Sequence, residues 1–263
     1  MFPKLIEVGG FFLPTYGMLV ALGFLAGLWL VRRLAASVPL NDEKITNLVI
    51  YCALAGLAGA KLFMFLFDWN AFMANPGDFL SLSTLQAAGV YQGGFLLALG
   101  FAIYYIRKHG LPLLTTLDIF APGIAIGHAF GRLGCFAAGC CYGIECDRPW
   151  AVRFTNVEAY KMTGVPLEVP LHPTQLYEAG FNLLLAIVLY KLCERRQQPG
   201  VVFAAYLSLY STFRFAVEFV RHHEQALTGG LSNTQWISLA TLVAGLALWR
   251  HAVATPQQKA SAA

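Results

Sequence analysis

Residues 111–134 read LPLLTTLDIFAPGIAIGHAFGRLG, an apolar run that closes on glycine and arginine. Its first part, 111–130, carries one fixed charge, Asp118, and is long enough to cross the ~30 Å hydrocarbon core of a bilayer as a helix. His128 and Arg132 come near its end, where such a helix reaches the polar surface. The stretch therefore predicts a transmembrane helix that carries ionisable groups to one face of a membrane.

The rest of the chain has the same apolar character. Of its 263 residues, 57% are hydrophobic and 12% are charged, whereas a soluble domain has about 25% charged residues. This composition excludes a soluble enzyme, a secreted disulfide scaffold and a disordered chain. Six further apolar stretches are predicted to span the membrane, at about 12–31, 45–67, 88–106, 174–190, 201–220 and 234–249. We predict one all-α integral membrane domain, 1–263, with seven transmembrane helices.

The basic residues indicate how these helices are oriented. They follow the first, third, fifth and seventh stretches, which predicts cytoplasmic ends there, an external N-terminus and a cytoplasmic C-terminus. The net charge of +4 mostly reflects this asymmetry, so nucleic acid is not an expected partner. We expect an external arm at 68–87, an external head segment at 131–171 and a disordered tail at 252–263.

Polar side chains gather in the outer halves of five predicted helices. Arg214, Glu218 and Arg221 are spaced i, i+4 and i+7, so they share one helix face. The other members of the group are Tyr16, Gln92, Arg132 and Glu178. Two guanidiniums at head-group depth suit a phosphate, because each offers two parallel donors. The expected ligand is an anionic phospholipid of the bilayer; the alternative is that Arg214 and Glu218 only neutralise each other.

Three glycines accompany Arg132 at the end of the fourth stretch: Gly127, Gly131 and Gly134. Small residues allow membrane helices to pack closely, which is one interpretation of this spacing. The other is that they bring backbone N–H groups and Arg132 close to a ligand.

Four cysteines on the predicted external side form a C-x4-C-C-x4-C pattern, namely Cys135, Cys140, Cys141 and Cys146. External cysteines are commonly disulfide-bonded, which favours a bridge within this group. A functional thiol is the second interpretation, since Arg132 nearby would stabilise a thiolate. A zinc site, with His128 and His172 as further ligands, is the third, because the spacing matches no standard zinc finger.

The chain resembles the prolipoprotein diacylglyceryl transferase family in a set of ordered motifs. The family signature, Gly-Arg-x-Gly-Asn-Phe followed by Tyr/Trp-Gly and Pro-Trp, corresponds here to GRLGCF at 131–136, YG at 142–143 and PW at 149–150. Further matches are Tyr16-Gly17, Gly93-Gly94, HPTQLYE at 172–178, and FRF at 213–215 leading into Glu218 and Arg221. The resemblance covers nearly the whole chain.

This resemblance implies a multi-pass enzyme of the bacterial inner membrane. Such an enzyme transfers the diacylglyceryl group of phosphatidylglycerol to the thiol of a prolipoprotein lipobox cysteine. Arg132 and Arg214 would hold the phosphate and stabilise its developing charge, Glu218 would orient them, and Tyr16 would position the lipid. The remaining implied substrate-binding positions are Gly93, Gly94, Cys135, Gly143 and Glu178. Neither a metal nor an organic cofactor is implied.

The chain departs from the family pattern where the incoming thiol would be handled. Gln92 stands where the family usually has a histidine before the paired glycines, and glutamine cannot take a proton. Cys135 replaces the signature asparagine, and the usual acidic residue before Tyr-Gly is replaced around Cys140 and Cys141.

These departures leave several candidate catalytic groups besides Arg132 and Arg214. Gln92 is a hydrogen-bonding substitute, His128 is either a replacement base or a packed core histidine, and Cys140 and Cys141 offer thiols. The alternative function is that of a diverged paralogue whose cysteine cluster performs thiol-based redox or lipid or alkyl transfer on another substrate.

Overall fold

The computed structural model of the chain describes residues 2–8, 11–75, 77, 84, 89–195, 197–222 and 228–254. Strands β1 Lys4–Val8 and β2 Phe11–Pro14 form a hairpin that leads into the first helix. The helices are α1 Thr15–Ala35, α2 Asp42–Phe67, α3 Trp69–Ala74, α4 Tyr91–Lys108, α5 Leu113–Ala138, α6 Val157–Thr163, α7 Thr174–Glu194, α8 Val201–Val217 and α9 Asn233–Ala254. A short pair of strands, β3 Val152–Arg153 and β4 Pro170–Leu171, lies between α5 and α7, and a 3-10 helix, Glu218–Val220, follows α8.

Five of the helices are long and apolar enough to cross a membrane: α1, α2, α5, α7 and α9. Large apolar side chains on them are exposed, as lipid-facing positions require; Leu57 is 62% exposed and Val243 is 67% exposed. The predicted class, an all-helical membrane protein, is therefore confirmed. The 18-residue α4 and the 17-residue α8 are not among the five, so the count of seven spans stays a prediction.

The described chain divides into two compact units, one of which comprises Met1–Leu34 and Leu114–Ala263. In this unit α1 and α5 approach through glycines, since a Cβ on Gly27 would lie 2.9 Å from the Gly123 carbonyl oxygen. Small and branched apolar residues of α5, α7 and α8 form its buried core. Asp118 on α5 accepts hydrogen bonds from the backbone N–H groups of Gly200 (2.6 Å) and Phe203 (2.7 Å), so it caps the positive end of α8.

The segment between α5 and α7 has a small core of its own. Phe154, Ala159, Val165 and Leu171 are buried together around β3, α6 and β4. The side-chain oxygen of Asn156 accepts hydrogen bonds from the first turn of α6 and fixes its start. This compact segment lies within residues 131–171, whose external location stays a prediction.

The second unit, Ala35–Leu113, contains α2, α3 and α4. α2 and α4 pack at close range through Gly59 and Gly93: a Cβ on Gly93 would lie 2.3 Å from Phe63 Cγ and 2.6 Å from the Gly59 carbonyl oxygen. Gly94 meets Gly56 in the same way, at 2.8 Å from its carbonyl oxygen. The paired glycines are thus helix-packing positions within this unit.

Several predicted boundaries differ from the structure. The first stretch was placed from residue 12, but Pro14 ends a strand and α1 begins at Thr15, since proline suits this junction and has no N–H to donate. The head was placed from residue 131, but α5 continues to Ala138 and ends before Gly139, whose φ of 85° suits glycine. α9 extends to Ala254, and the rest of the predicted tail lies outside the described residues, as does most of the arm after α3.

Gly93→Val should destabilise the protein, because the added side chain would force α4 away from Phe63 and Gly59. We expect a loss of about 1–3 kcal/mol, as for other overpacked contacts, seen as a lower melting temperature in detergent micelles. Gly100→Val is the matched control, since it lies on the same helix and a Cβ there meets nothing within 4 Å. Equal melting temperatures for the two variants would contradict this packing.

Candidate functional site

A buried carboxylate on α7 holds two arginines from other parts of the chain. Glu178 Oε2 lies 3.0 Å from Nε of Arg132 on α5, and its Oε1 lies 3.6 Å from Nη1 of Arg221, just after the 3-10 helix. The Glu178 side chain is 1% exposed, so its charge is almost completely withdrawn from water. Neither contact is an aligned hydrogen bond. The attraction of opposite charges in a poorly hydrated site holds the three groups together.

A second buried ion pair lies at the end of α8. Arg214 Nη1 donates a 2.6 Å hydrogen bond to Oε2 of Glu218, one helical turn further on. Ser232 Oγ donates to the other oxygen, Oε1, at 2.9 Å. Because both oxygens of Glu218 are engaged, the carboxylate and the guanidinium of Arg214 are held in one orientation.

The two ion pairs belong to one electrostatic network. Arg221 acts on Glu218 as well as on Glu178, and His128 lies in the field of all three arginines. Among the described residues, the network contains three guanidiniums and two carboxylates. A phosphate could accept the paired N–H donors of an arginine in this network.

His128 is engaged within this network. Its Nε2 accepts a 3.2 Å hydrogen bond from Arg132 Nε, and its ring centroid lies 5.3 Å from that of Tyr210. A ring nitrogen that accepts a hydrogen bond cannot take up a proton until that bond breaks. These are the contacts of a packed core histidine; a catalytic role for His128 stays a prediction.

Three thiols lie together at the end of α5. The sulfur atoms of Cys135, Cys140 and Cys141 are all within 4.8 Å of one another, which makes them a possible metal-binding group. Cys146 is not a member of the group, and its sulfur accepts a hydrogen bond from the Arg148 backbone N–H at 3.4 Å. All six cysteines of the chain are free thiols, so the expected external disulfide is not formed.

The three thiols have different acidities. The pKa of Cys141 lies far below its usual range, first because of its side-chain contacts with Cys135 and Cys140 and then because Arg221 and Arg132 stabilise the thiolate. The pKa of Cys140 is raised, first by its side-chain interactions with Cys135 and Cys141 and then by burial. Cys141 is therefore the thiol of the pair that ionises first.

The HPTQLYE motif fixes the backbone of the two adjacent cysteines. Thr174 Oγ1 donates to the Cys141 carbonyl oxygen and Gln175 Nε2 donates to that of Cys140, both at 2.7 Å. The backbone at Gly143 passes close to the backbone at Val220: a Cβ on Gly143 would lie 2.4 Å from the Val220 carbonyl oxygen. At the predicted substrate-binding position Gly143, the absence of a side chain thus allows two backbone segments to lie in contact.

The structure brings together only some of the predicted site residues. Tyr16 lies against the end of α5, since a Cβ on Gly134 would lie 2.9 Å from its Cδ2, and it is in electrostatic range of Arg132 and Cys135. Gln92 is exposed at the start of α4, and Gly93 and Gly94 are buried against α2; all three belong to the unit Ala35–Leu113. Among the three glycines of α5, Gly127 and Gly134 pack against α1, whereas Gly131 faces open space.

Sequence reasoning missed three residues that shape the site. Ser232 precedes α9 and is 0% exposed; its sequence context is an ordinary helix N-cap and gives no signal of the contact with Glu218. Thr174 and Gln175 are also fully buried polar residues. Both belong to the HPTQLYE motif, and that was the available signal. Buried polar side chains normally have a hydrogen-bond partner, and here the partners are the Cys141 and Cys140 carbonyl oxygens.

Comparison with known proteins agrees with these features. The family model for the prolipoprotein diacylglyceryl transferases matches residues 3–251. A phosphatidylglycerol–prolipoprotein diacylglyceryl transferase of Clostridium tetani is 33% identical over 94% of this chain and 96% of its own length. The transferase of the same name from Solidesulfovibrio magneticus is 35% identical over 98% of this chain and 97% of its own length. The chain therefore belongs to the prolipoprotein diacylglyceryl transferase family.

Proposed function

We propose that this protein transfers the diacylglyceryl group of phosphatidylglycerol to a cysteine thiol of a prolipoprotein, as the names of its relatives state for them. The observation that carries the proposal is the buried network of three arginines and two glutamates, in which Arg132 and Arg214 stay partly exposed. Phosphatidylglycerol brings one negative phosphate, which suits the paired N–H donors of these arginines.

Arg132 and Arg214 bind that phosphate in our proposal. Their side chains are 15% and 11% exposed, so each is largely desolvated yet reaches the surface of the protein. In such surroundings a hydrogen bond to an ionised group is stronger than in water. Glu178 and Glu218 act as positioning residues. Glu178 contacts Arg132 at Nε and Glu218 contacts Arg214 at Nη1, so the other N–H groups of each arginine are directed to the ligand.

The positive charge of the arginines matters most when the C–O bond between the glyceryl group and the phosphate breaks. The thiolate of the acceptor cysteine attacks the glyceryl CH2 next to the phosphate, a C–S bond forms and the C–O bond breaks. The phosphate oxygen keeps the electron pair and leaves as glycerol phosphate. The arginines stabilise this additional negative charge, which is transition-state stabilisation by pre-oriented donors.

Other predicted residues take supporting roles in this proposal. Tyr16, beside the end of α5, positions the lipid, and Cys135 and Gly143 shape the wall next to Arg132. Gly93 and Gly94 allow the approach of α2 to α4, and Gln92 offers an exposed amide for hydrogen bonding.

We further propose that the protein acts in the outer leaflet of the bacterial inner membrane and crosses it seven times. In this proposal α4 and α8 are the two spans besides the five apolar ones. Basic residues close α1 and α4. The acceptor is then the lipobox cysteine of a prolipoprotein exposed on the outer face.

Removing either phosphate-binding guanidinium should abolish turnover. In nanodiscs with phosphatidylglycerol and a lipobox peptide, we expect Arg132→Ala and Arg214→Ala to lose at least ~100-fold in diacylglyceryl transfer, measured by peptide mass. Lysine at either position should rescue poorly, because it keeps the charge but lacks the planar fork.

Arg148→Ala is the matched control for these variants, since Arg148 is an exposed arginine of the head and should keep full activity. Melting temperatures separate lost binding from lost folding. Lipid affinity and turnover at the wild-type level in both folded alanine variants would refute the phosphate site.

Reporter fusions should confirm the seven-span topology. Fusions after Arg33, Lys108 and His251 are expected to report the cytoplasm, and a fusion within 68–87 is expected to report the outside. The measurement is paired alkaline phosphatase and green fluorescent protein activity at each site. A C-terminal fusion on the same side as the N-terminus would require an even number of spans and would contradict the proposal.

A further inference from the structure

The backbone of the three-thiol group, Cys135, Cys140 and Cys141, is held in place by hydrogen bonds. Gln175 and Thr174 hold the two adjacent carbonyl groups, and both of these side chains are 0% exposed. The Cys140 backbone N–H donates to the Cys135 carbonyl oxygen at 3.1 Å, which ties the turn to the end of α5. The sulfur positions are thus fixed from two sides before any ligand arrives.

The backbone of Cys141 adopts an uncommon conformation that serves this arrangement. Its φ is 63°, in the left-handed region that residues other than glycine rarely occupy. The surrounding hydrogen bonds keep it there, and its sulfur joins those of Cys135 and Cys140. Such conformations persist where the surroundings over-determine them, and they cluster at ligand sites.

The dimensions of the group suit a thiophilic metal ion. Zinc binds cysteine sulfur at about 2.3 Å in tetrahedral geometry, which places two sulfur ligands about 3.8 Å apart. The three sulfur atoms already lie within 4.8 Å of one another, so shifts of about 1 Å or less would complete the coordination.

The charge around the group is also suitable. Three thiolates and a divalent zinc ion carry one net negative charge, and Arg132 and Arg221 both act on the thiols from nearby. Arg132 and Cys135 are spaced i, i+3 and share a face of α5, so the proposed phosphate site and the thiols are neighbours.

The other groups of the network that could accept a proton already have partners. His128 accepts a hydrogen bond from Arg132, Glu178 lies between two arginines, and Glu218 is held by Arg214 and Ser232. The acceptor thiol of the proposed reaction must nevertheless lose its proton before it can attack carbon. A metal ion achieves this, because a coordinated thiol is deprotonated outright.

We propose that Cys135, Cys140 and Cys141 bind zinc as three thiolate ligands, and that the fourth coordination position takes the thiol of the acceptor cysteine. Three protein ligands and one open position are the arrangement of catalytic rather than structural zinc. The role in transfer rests on the proposed function; the metal site itself does not.

The chemical step balances without an oxidant or a reductant. The acceptor thiol releases its proton to water as its sulfur binds zinc. The zinc-bound sulfur then attacks the glyceryl CH2, the C–O bond to phosphate breaks, and the phosphate oxygen keeps the bonding electrons beside the arginines. The product is a thioether, a weaker ligand than a thiolate, so it leaves the metal and reopens the position.

Metal binding is tested first, without reference to activity. The full-length protein, purified in detergent under reducing conditions, is stripped with a chelator and titrated with Zn²⁺ or Co²⁺. We expect one ion per chain, and with Co²⁺ the charge-transfer absorption of thiolate ligands. Cys140→Ser and Cys141→Ser should each lose at least ~10-fold in metal affinity, whereas Cys146→Ser, in the same segment but outside the group, should bind normally.

Two results would overturn the metal site. One is a reduced, folded wild-type protein that binds no Zn²⁺ or Co²⁺. The other is equal binding by wild type and a Cys140→Ser plus Cys141→Ser double variant, which would place the metal elsewhere.

The role of the metal in transfer is tested next. A lipobox peptide should change the Co²⁺ spectrum, and the same peptide with serine in place of its cysteine should not. Chelated protein should lose at least ~10-fold in diacylglyceryl transfer and regain it with Zn²⁺. Full activity of the metal-free protein would overturn this role, whereas metal and peptide binding without any transfer would leave the site standing and refute the proposed function.

Discussion

The site depends on one buried carboxylate, that of Glu178, held between Arg132 and Arg221. Without Glu178, these two cations, one on α5 and one just after the 3-10 helix, would repel each other in a poorly hydrated interior. With it, they form a network in which Arg132 stays partly exposed to a ligand. A buried ion pair adds little net stability, but it selects one arrangement of helices over others, and that arrangement is what a phosphate site requires.

The same short motif connects the charge network to the thiols. HPTQLYE supplies Thr174 and Gln175 to the backbone of Cys140 and Cys141, and one turn later it supplies Glu178 to the arginines. The start of α7 therefore sets the distance between the anion site and the sulfur atoms. This explains how one segment can bring together the two halves of a group transfer, the leaving phosphate and the attacking sulfur.

Composition and periodicity predict the membrane class and most helix positions, because long apolar runs leave a chain few alternatives. They also place Arg214 and Glu218 one turn apart, and the ion pair between them follows from helix geometry alone. The partner of Arg132 could not be predicted, since the contact with Glu178 depends on how α5 and α7 cross. The thiol group could not be predicted either, because it requires a left-handed residue at Cys141 and hydrogen bonds from a distant segment.

A double-mutant cycle on Arg132 and Glu178 tests the central claim most directly. Unfolding free energies in detergent are measured for Arg132→Gln, Glu178→Gln and the double variant. We predict that Glu178→Gln destabilises the protein by about 3–5 kcal/mol, because it leaves two buried arginines without their carboxylate. Arg132→Gln should destabilise it less, because Glu178 still faces Arg221. The double variant should recover part of that loss, with a coupling of about 1–3 kcal/mol. Losses that add to within about 0.5 kcal/mol would show that the two groups are independent and would contradict the account.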